Sequence, residues 1–180
     1  MDRLPLDFRT VLLHHLDYTF EKEAWQPSLA MALDGVTHAE ALWKPAPQRH
    51  SIWQIVRHVT HWKQATLDAW TGVRPLFTVG QGETAYVSEL ERTDWAEVTG
   101  DAAAWQADVR ALHAVSGEIR GRAAQLREAD CLRPFPGEEM PLLLRVLRMA
   151  THDIYHAGQI QYLRALWRSH TTSGGTGASR

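Results

Sequence analysis

At 180 residues, with 44% hydrophobic and 22% charged side chains, the chain has the make-up of one soluble globular domain with a sizeable core. A net charge of -2 provides no broad basic surface for nucleic acid or an anionic membrane. Apolar runs such as Met140-Pro-Leu-Leu-Leu144 are too short to span a bilayer, and Met1–Pro5 has no signal-like apolar stretch, so the cytoplasm is the expected compartment. The lone Cys131 excludes an internal disulfide framework and a cysteine-rich metal site, and with no base nearby in sequence it is a poor nucleophile candidate.

The first helix is expected from Leu6 to Ala24, with Phe8, Val11, Leu12, His15 and Thr19 on one face. Pro27 opens a short helical piece, Ser28 to Leu33, which Gly35 ends. After a loop over Lys44–His50, Ser51 reads as the N-cap of a second long helix that stops at Gly72. Its inner stripe is Ile52, Ile55, Val59, Trp62, Thr66 and Ala69. Residues 72–100 read as a long, mostly irregular connection, of a length that often serves function or covers a site. Asp101 caps a third helix with the stripe Trp105, Val109, Leu112, Ser116, Ile119, Ala123 and Leu126. Leu132–Gly137 breaks the chain, and a fourth helix is expected from Glu139 to Ser169. A flexible polar tail follows over 171–180, leaving 1–170 as the domain. With no internal repeat and no alternating strand pattern, four amphipathic helices argue for an all-α four-helix bundle.

The fourth helix carries His152-Asp-Ile-Tyr-His156. At about 100° per residue, Met149, His152, His156, Ile160, Leu163 and Trp167 fall in one sector, so both histidines sit on the apolar stripe. A buried imidazole is costly unless its nitrogens find partners, and a spacing of four residues lets two rings reach one metal ion. The pair alone is weak evidence, because ten histidines in such a chain yield about half a pair at this spacing by chance. On the second helix His58 lies at the edge of the inner stripe, whereas His61 points nearly the opposite way. His58, His152 and His156 would make a three-histidine site that leaves a position for water or substrate. Imidazole ligands suit zinc, nickel, copper or iron.

The alternative for His152 and His156 is a core histidine satisfied by Tyr, Asp or backbone groups. His15, on the first stripe, reads as a partly buried histidine with a hydrogen bond rather than a ligand. Asp153 is either a carboxylate that orients a ligand ring or one at the edge of the helix face. His14, His38, His50, His113 and His170 read as surface or loop residues, and Arg57, Arg145 and Arg148 as solvated helix faces. Trp53, Trp62 and Trp70 read as packing, with Trp53 a candidate subunit contact because it points away from its helix's inner stripe. No catalytic or substrate-binding residue is assigned from the sequence.

Ser51-Ile-Trp-Gln-Ile-Val-Arg-His58-Val, followed 94 residues later by His152-Asp-Ile-Tyr-His156-Ala-Gly-Gln-Ile160, resembles the DinB/YfiT-like superfamily. Trp25-Gln-Pro-Ser-Leu29 and Trp43-Lys-Pro45 look like one branch of it. The resemblance covers residues 6 to 169. It implies an up-down-down-up four-helix bundle, a divalent metal held by His58, His152 and His156, and a homodimer. It further implies a small-molecule substrate and chemistry using a low-molecular-weight thiol, as in bacillithiol- or mycothiol-dependent transferases. The expected activity is thiol S-transfer or hydrolysis at a metal, zinc before nickel or iron. The alternative is a non-catalytic metal-binding stress-response protein with a structural metal.

Overall fold

A computed structural model of the chain describes residues 6–174. Four long helices form its frame: α1 (Phe8–Phe20), α4 (Ile52–Trp70), α6 (Ala102–Ala124) and α8 (Leu142–Gly174). Short elements join them. These are α2 (Leu29–Leu33), α3 (His38–Leu42), a hairpin of β1 (Phe77–Thr78) and β2 (Gly82–Glu83), α5 (Ala85–Thr93) and α7 (Glu128–Cys131). Helix α1 packs on α6 and α8, and α4 packs on the same two, so the fold is all-α with the long helices closed into a ring. No helix among the described residues is long and apolar enough to cross a membrane.

Local chemistry sets where the long helices begin. Asp7 accepts from the Thr10 backbone N–H at 2.6 Å, and Asp101 does the same for Ala104 at 2.9 Å. At α4 a full capping box forms, since Ser51 accepts from the Gln54 N–H while the Gln54 carbonyl accepts from the Ser51 N–H. Gln54 then uses its amide to donate to the carbonyls of Trp95 and Ala96, at 3.1 and 3.3 Å. One residue thus starts α4 and pins the end of the long connection against it.

Several expectations are corrected. The connection over 72–100 is mostly irregular, as expected, but it also holds the hairpin and α5, whose Val87 and Leu90 bury an apolar face in the core. In α1 the buried set is Leu12, Leu16, Asp17, Thr19 and Phe20, with Phe8 and Val11 exposed, so the inner face is rotated from the expected one. Trp53 is 2% exposed, stands edge-on to Trp105 and donates to Asp108 at 2.6 Å. It is a core residue and no subunit contact, because α6 covers the side of α4 that was read as outward. Helix α8 continues to Gly174, so the first residues of the expected tail are helical, and 175–180 lie outside the described residues.

The apolar interior is divided in two. One cluster takes Leu12, Leu16, Ala65, Leu67, Val146, Met149 and Ala150, and the other Phe20, Ile52, Ile55, Val59, Ala157 and Ile160. Along α4 and α8 the buried residues between these clusters are polar. Lys63 and Asp153, each nearly fully buried, form an ion pair at 2.7 Å in this layer. Lys63 also lies 5.0 Å from the centre of the Phe20 ring. His58, His152 and His156 complete the layer.

Candidate metal centre

The register of α4 against α8 brings three rings together. His152 Nε2 lies 3.1 Å from His58 Nε2 and 2.9 Å from His156 Nε2. The three ligand atoms all fall within 4.8 Å of one another. His58 and His156 are buried and His152 is half-buried.

The outer nitrogens fix which atoms carry protons. His58 Nδ1 meets Asp94 Oδ1 at 2.7 Å, and a carboxylate only accepts, so that nitrogen donates and the His58 Nε2 lone pair is free. His156 Nδ1 meets the Gln159 carbonyl oxygen at 2.7 Å, which frees its Nε2 in the same way. His152 Nε2 faces two lone pairs and can donate to only one of them. The cluster therefore holds more acceptors than protons at its centre, and a cation bound by all three nitrogens relieves this. Three converging imidazole lone pairs, each remote nitrogen on an oxygen where a partner exists, fit a divalent transition metal.

Electrostatics keeps the donors ready. Burial, reinforced by the neighbouring histidines, lowers His152 to about 4 and His156 to about 3, so both are neutral near pH 7. Burial pushes the Asp94 carboxyl up, but hydrogen bonds from His58 and from Trp62 Nε1, the latter at 2.9 Å, outweigh it and hold Asp94 ionised. Trp95 stacks on His58 with ring centres 4.1 Å apart, and His50 stacks on the far face of Trp95 at 3.8 Å. On the other side His58 and His152 line a cavity of 590 Å³, shared with Trp62, Asp94, Trp95 and Arg145. A metal held here has an open approach.

Among the sequence candidates, His58, His152 and His156 are brought together. His61 is half-buried and lines a different cavity with Arg74 and Tyr86, so it stands apart from the cluster. His15 is half-buried and meets the Thr151 hydroxyl at 3.4 Å, also outside it. Asp153 neither orients a ligand ring nor sits at a helix edge: it is fully buried against Lys63. Burial pushes its carboxyl up to about 6 against the pull of Lys63. Arg145 is no solvated face either, being 20% exposed and held between the Phe77 and Phe135 rings. Cys131 is fully buried, and burial raises its thiol, so it stays protonated.

Sequence reasoning missed Asp94, Trp95 and Gln159. Gln159 was within reach, standing one helical turn after His156, where side chains meet. Asp94 and Trp95 follow α5 in the long connection, and no periodicity links them to His58. The hydrogen bonds from Gln54 put them there.

The sequence model of the DinB superfamily matches residues 22–160. The chain belongs to the DinB superfamily. No curated protein matches it. The matched span runs from before α2 through His58, Asp94, His152 and His156, so this DinB protein carries its whole histidine cluster inside the family region.

Proposed function

We propose that this DinB-superfamily protein is a divalent-metal-dependent enzyme. It acts as a thiol S-transferase or a hydrolase on a small-molecule substrate, with His58, His152 and His156 holding the metal. Zinc is the first choice and nickel or iron the next. The observation that carries the reading is the convergence of three imidazole nitrogens, two of whose rings, His58 and His152, line an open 590 Å³ cavity. Three neutral ligands leave a dication's charge uncompensated, so a bound dication lowers the pKa of a water or thiol in the remaining position.

The chain's own residues prepare that chemistry. Asp94 fixes the tautomer of His58 and Gln159 that of His156, so neither ring needs to reorient when metal enters. Trp95 covers one face of His58 and limits water there. The buried, protonated Cys131 supplies no nucleophile, which agrees with a thiol brought from outside.

A structural metal is the second reading, favoured by the position of the histidines in a polar layer between two apolar clusters. Cobalt substitution separates the two. Addition of a small thiol to the cobalt protein adds a sulfur charge-transfer band, and transfer to a model electrophile follows and is lost in His152→Ala. An unchanged spectrum with thiol-independent ester or amide cleavage replaces transfer by hydrolysis. Neither response across a broad substrate panel leaves the structural role. We further propose a homodimer, which light scattering at micromolar concentration tests.

A further inference from the structure

One wall of the site cavity is built by α8. Arg145, Arg148, Met149 and His152 follow one another at helical spacing and line the same cavity. Two of these four are arginines, and they are held differently. The Arg145 guanidinium sits 5.5 Å from the centre of the Phe77 ring and 5.7 Å from that of Phe135, with Glu138 3.4 Å from its Nε. Phe77 is brought there by the hairpin, and Gly137 allows the approach. Its φ is +82°, and a Cβ at that position would lie 2.0 Å from the Phe77 carbonyl oxygen. Glu138 makes no hydrogen bond to that Nε, and among the described residues Arg145 makes no hydrogen bond through its terminal nitrogens. Arg148 is exposed and, among the described residues, has no hydrogen bond or ion pair at all.

Neither acid on the same cavity forms an ion pair with these arginines among the described residues. Asp94 spends both oxygens on His58 and Trp62, and Glu91 is an exposed residue of α5. A guanidinium clamped by two aromatic rings loses little freedom on binding, and its planar fork matches an oxyanion. A second guanidinium, that of Arg148, stands one turn away without an ion pair.

We propose that Arg145 and Arg148 form an anion subsite of the histidine cavity, so that its ligand carries a carboxylate or phosphate at the end remote from the metal-seeking atom. The inference rests on the metal-centre reading for the placement of that atom. Along α8, Arg148 lies about 6 Å and Arg145 about 10 Å from His152, taking about 1.5 Å per residue. The ligand is therefore a short-chain acid, or a small phosphate ester, whose reactive atom and anion are separated by a flexible spacer of that length.

Calorimetric titration of the zinc-loaded protein with 6-mercaptohexanoate and its neutral isostere 6-mercaptohexanol tests the subsite. The wild type should prefer the acid by about tenfold, the size of one charge-assisted pair. Arg148→Gln should abolish most of that preference while leaving metal content and the affinity for the alcohol unchanged. Arg145→Gln serves as a second variant, read only where its melting curve matches the wild type. Inorganic phosphate and acetate, used as competitors of the acid, distinguish a phosphate site from a carboxylate site. Equal affinity for acid and alcohol in the wild type, or a preference that survives both variants, overturns the subsite. If neither thiol binds the zinc protein, phosphate titrated against the metal-free protein decides. An Arg148-dependent shift of its arginine side-chain resonances keeps the subsite and removes the thiol reading, and no shift removes both.

Discussion

Asp94→Asn is the most informative single change, because it leaves the three histidines in place and alters only what one of them leans on. In the native protein Asp94 Oδ1 accepts from His58 Nδ1 at 2.7 Å, and Oδ2 accepts from Trp62 Nε1 at 2.9 Å. Asparagine has one oxygen for these two donors. If it serves Trp62, its NH2 faces His58 Nδ1, and the ring is driven to the tautomer with the proton on Nε2. That proton occupies the lone pair the metal needs. If it serves His58, the Trp62 N–H is opposed by another donor in a half-buried site. In either case the negative charge behind the ring is lost. Removal of such a supporting group costs about 10- to 100-fold in metal affinity, or about 1.4–2.7 kcal/mol. Competition titration with a chromophoric chelator measures it, with wild type and Asp68→Asn as controls. Affinity within twofold of wild type, in a variant that melts normally, refutes the claim that Asp94 sets the state of His58.

His58→Ala, His152→Ala and His156→Ala should each abolish tight metal loading, while His61→Ala and His15→Ala keep it. Elemental analysis reads this directly, and full loading in any of the first three removes that residue from the site. Lys63→Met leaves the Asp153 carboxylate buried without its partner and should cost about 3–5 kcal/mol in urea unfolding. Lys63→Met with Asp153→Leu should recover much of that, and a single variant within about 1 kcal/mol of wild type contradicts a buried charged pair. In the metal-free protein, stability should fall as pH drops from 6.5 towards 4. Over that range the unfolded chain protonates His152 and His156, while the folded protein holds them neutral down to about 4 and about 3. The slope is at most about 1.4 kcal/mol per pH unit per histidine, reduced for the half-buried His152 by its partial exposure. Asp153 offsets part of it, because its carboxyl, pushed up to about 6, takes a proton in the folded state over the same range. Urea melts at stepped pH check the sign, and flat or rising stability on acidification refutes it.

What the sequence determined by itself was whatever repeats along one helix or is written in adjacent residues. Helix period put His152 and His156 on the buried stripe of α8, and Ser51 marked the start of α4. The long helices and the cluster His58, His152 and His156 were legible for that reason, since each ring's face follows from counting along its own helix. Relations between elements were beyond that reach. Trp53 looked outward on α4 until α6 covered it, and Arg145 looked solvated until Phe77 and Phe135 closed on its side chain. Asp153 read either as a carboxylate that orients a ligand ring or as one at the edge of the helix face, and only the fold shows it meeting Lys63 on α4. The decisive support, Asp94, comes from a segment with no period. Its place beside His58 is set by hydrogen bonds from Gln54 to the backbone of Trp95 and Ala96. Those bonds join residues about forty positions apart, a separation that only the folded chain closes.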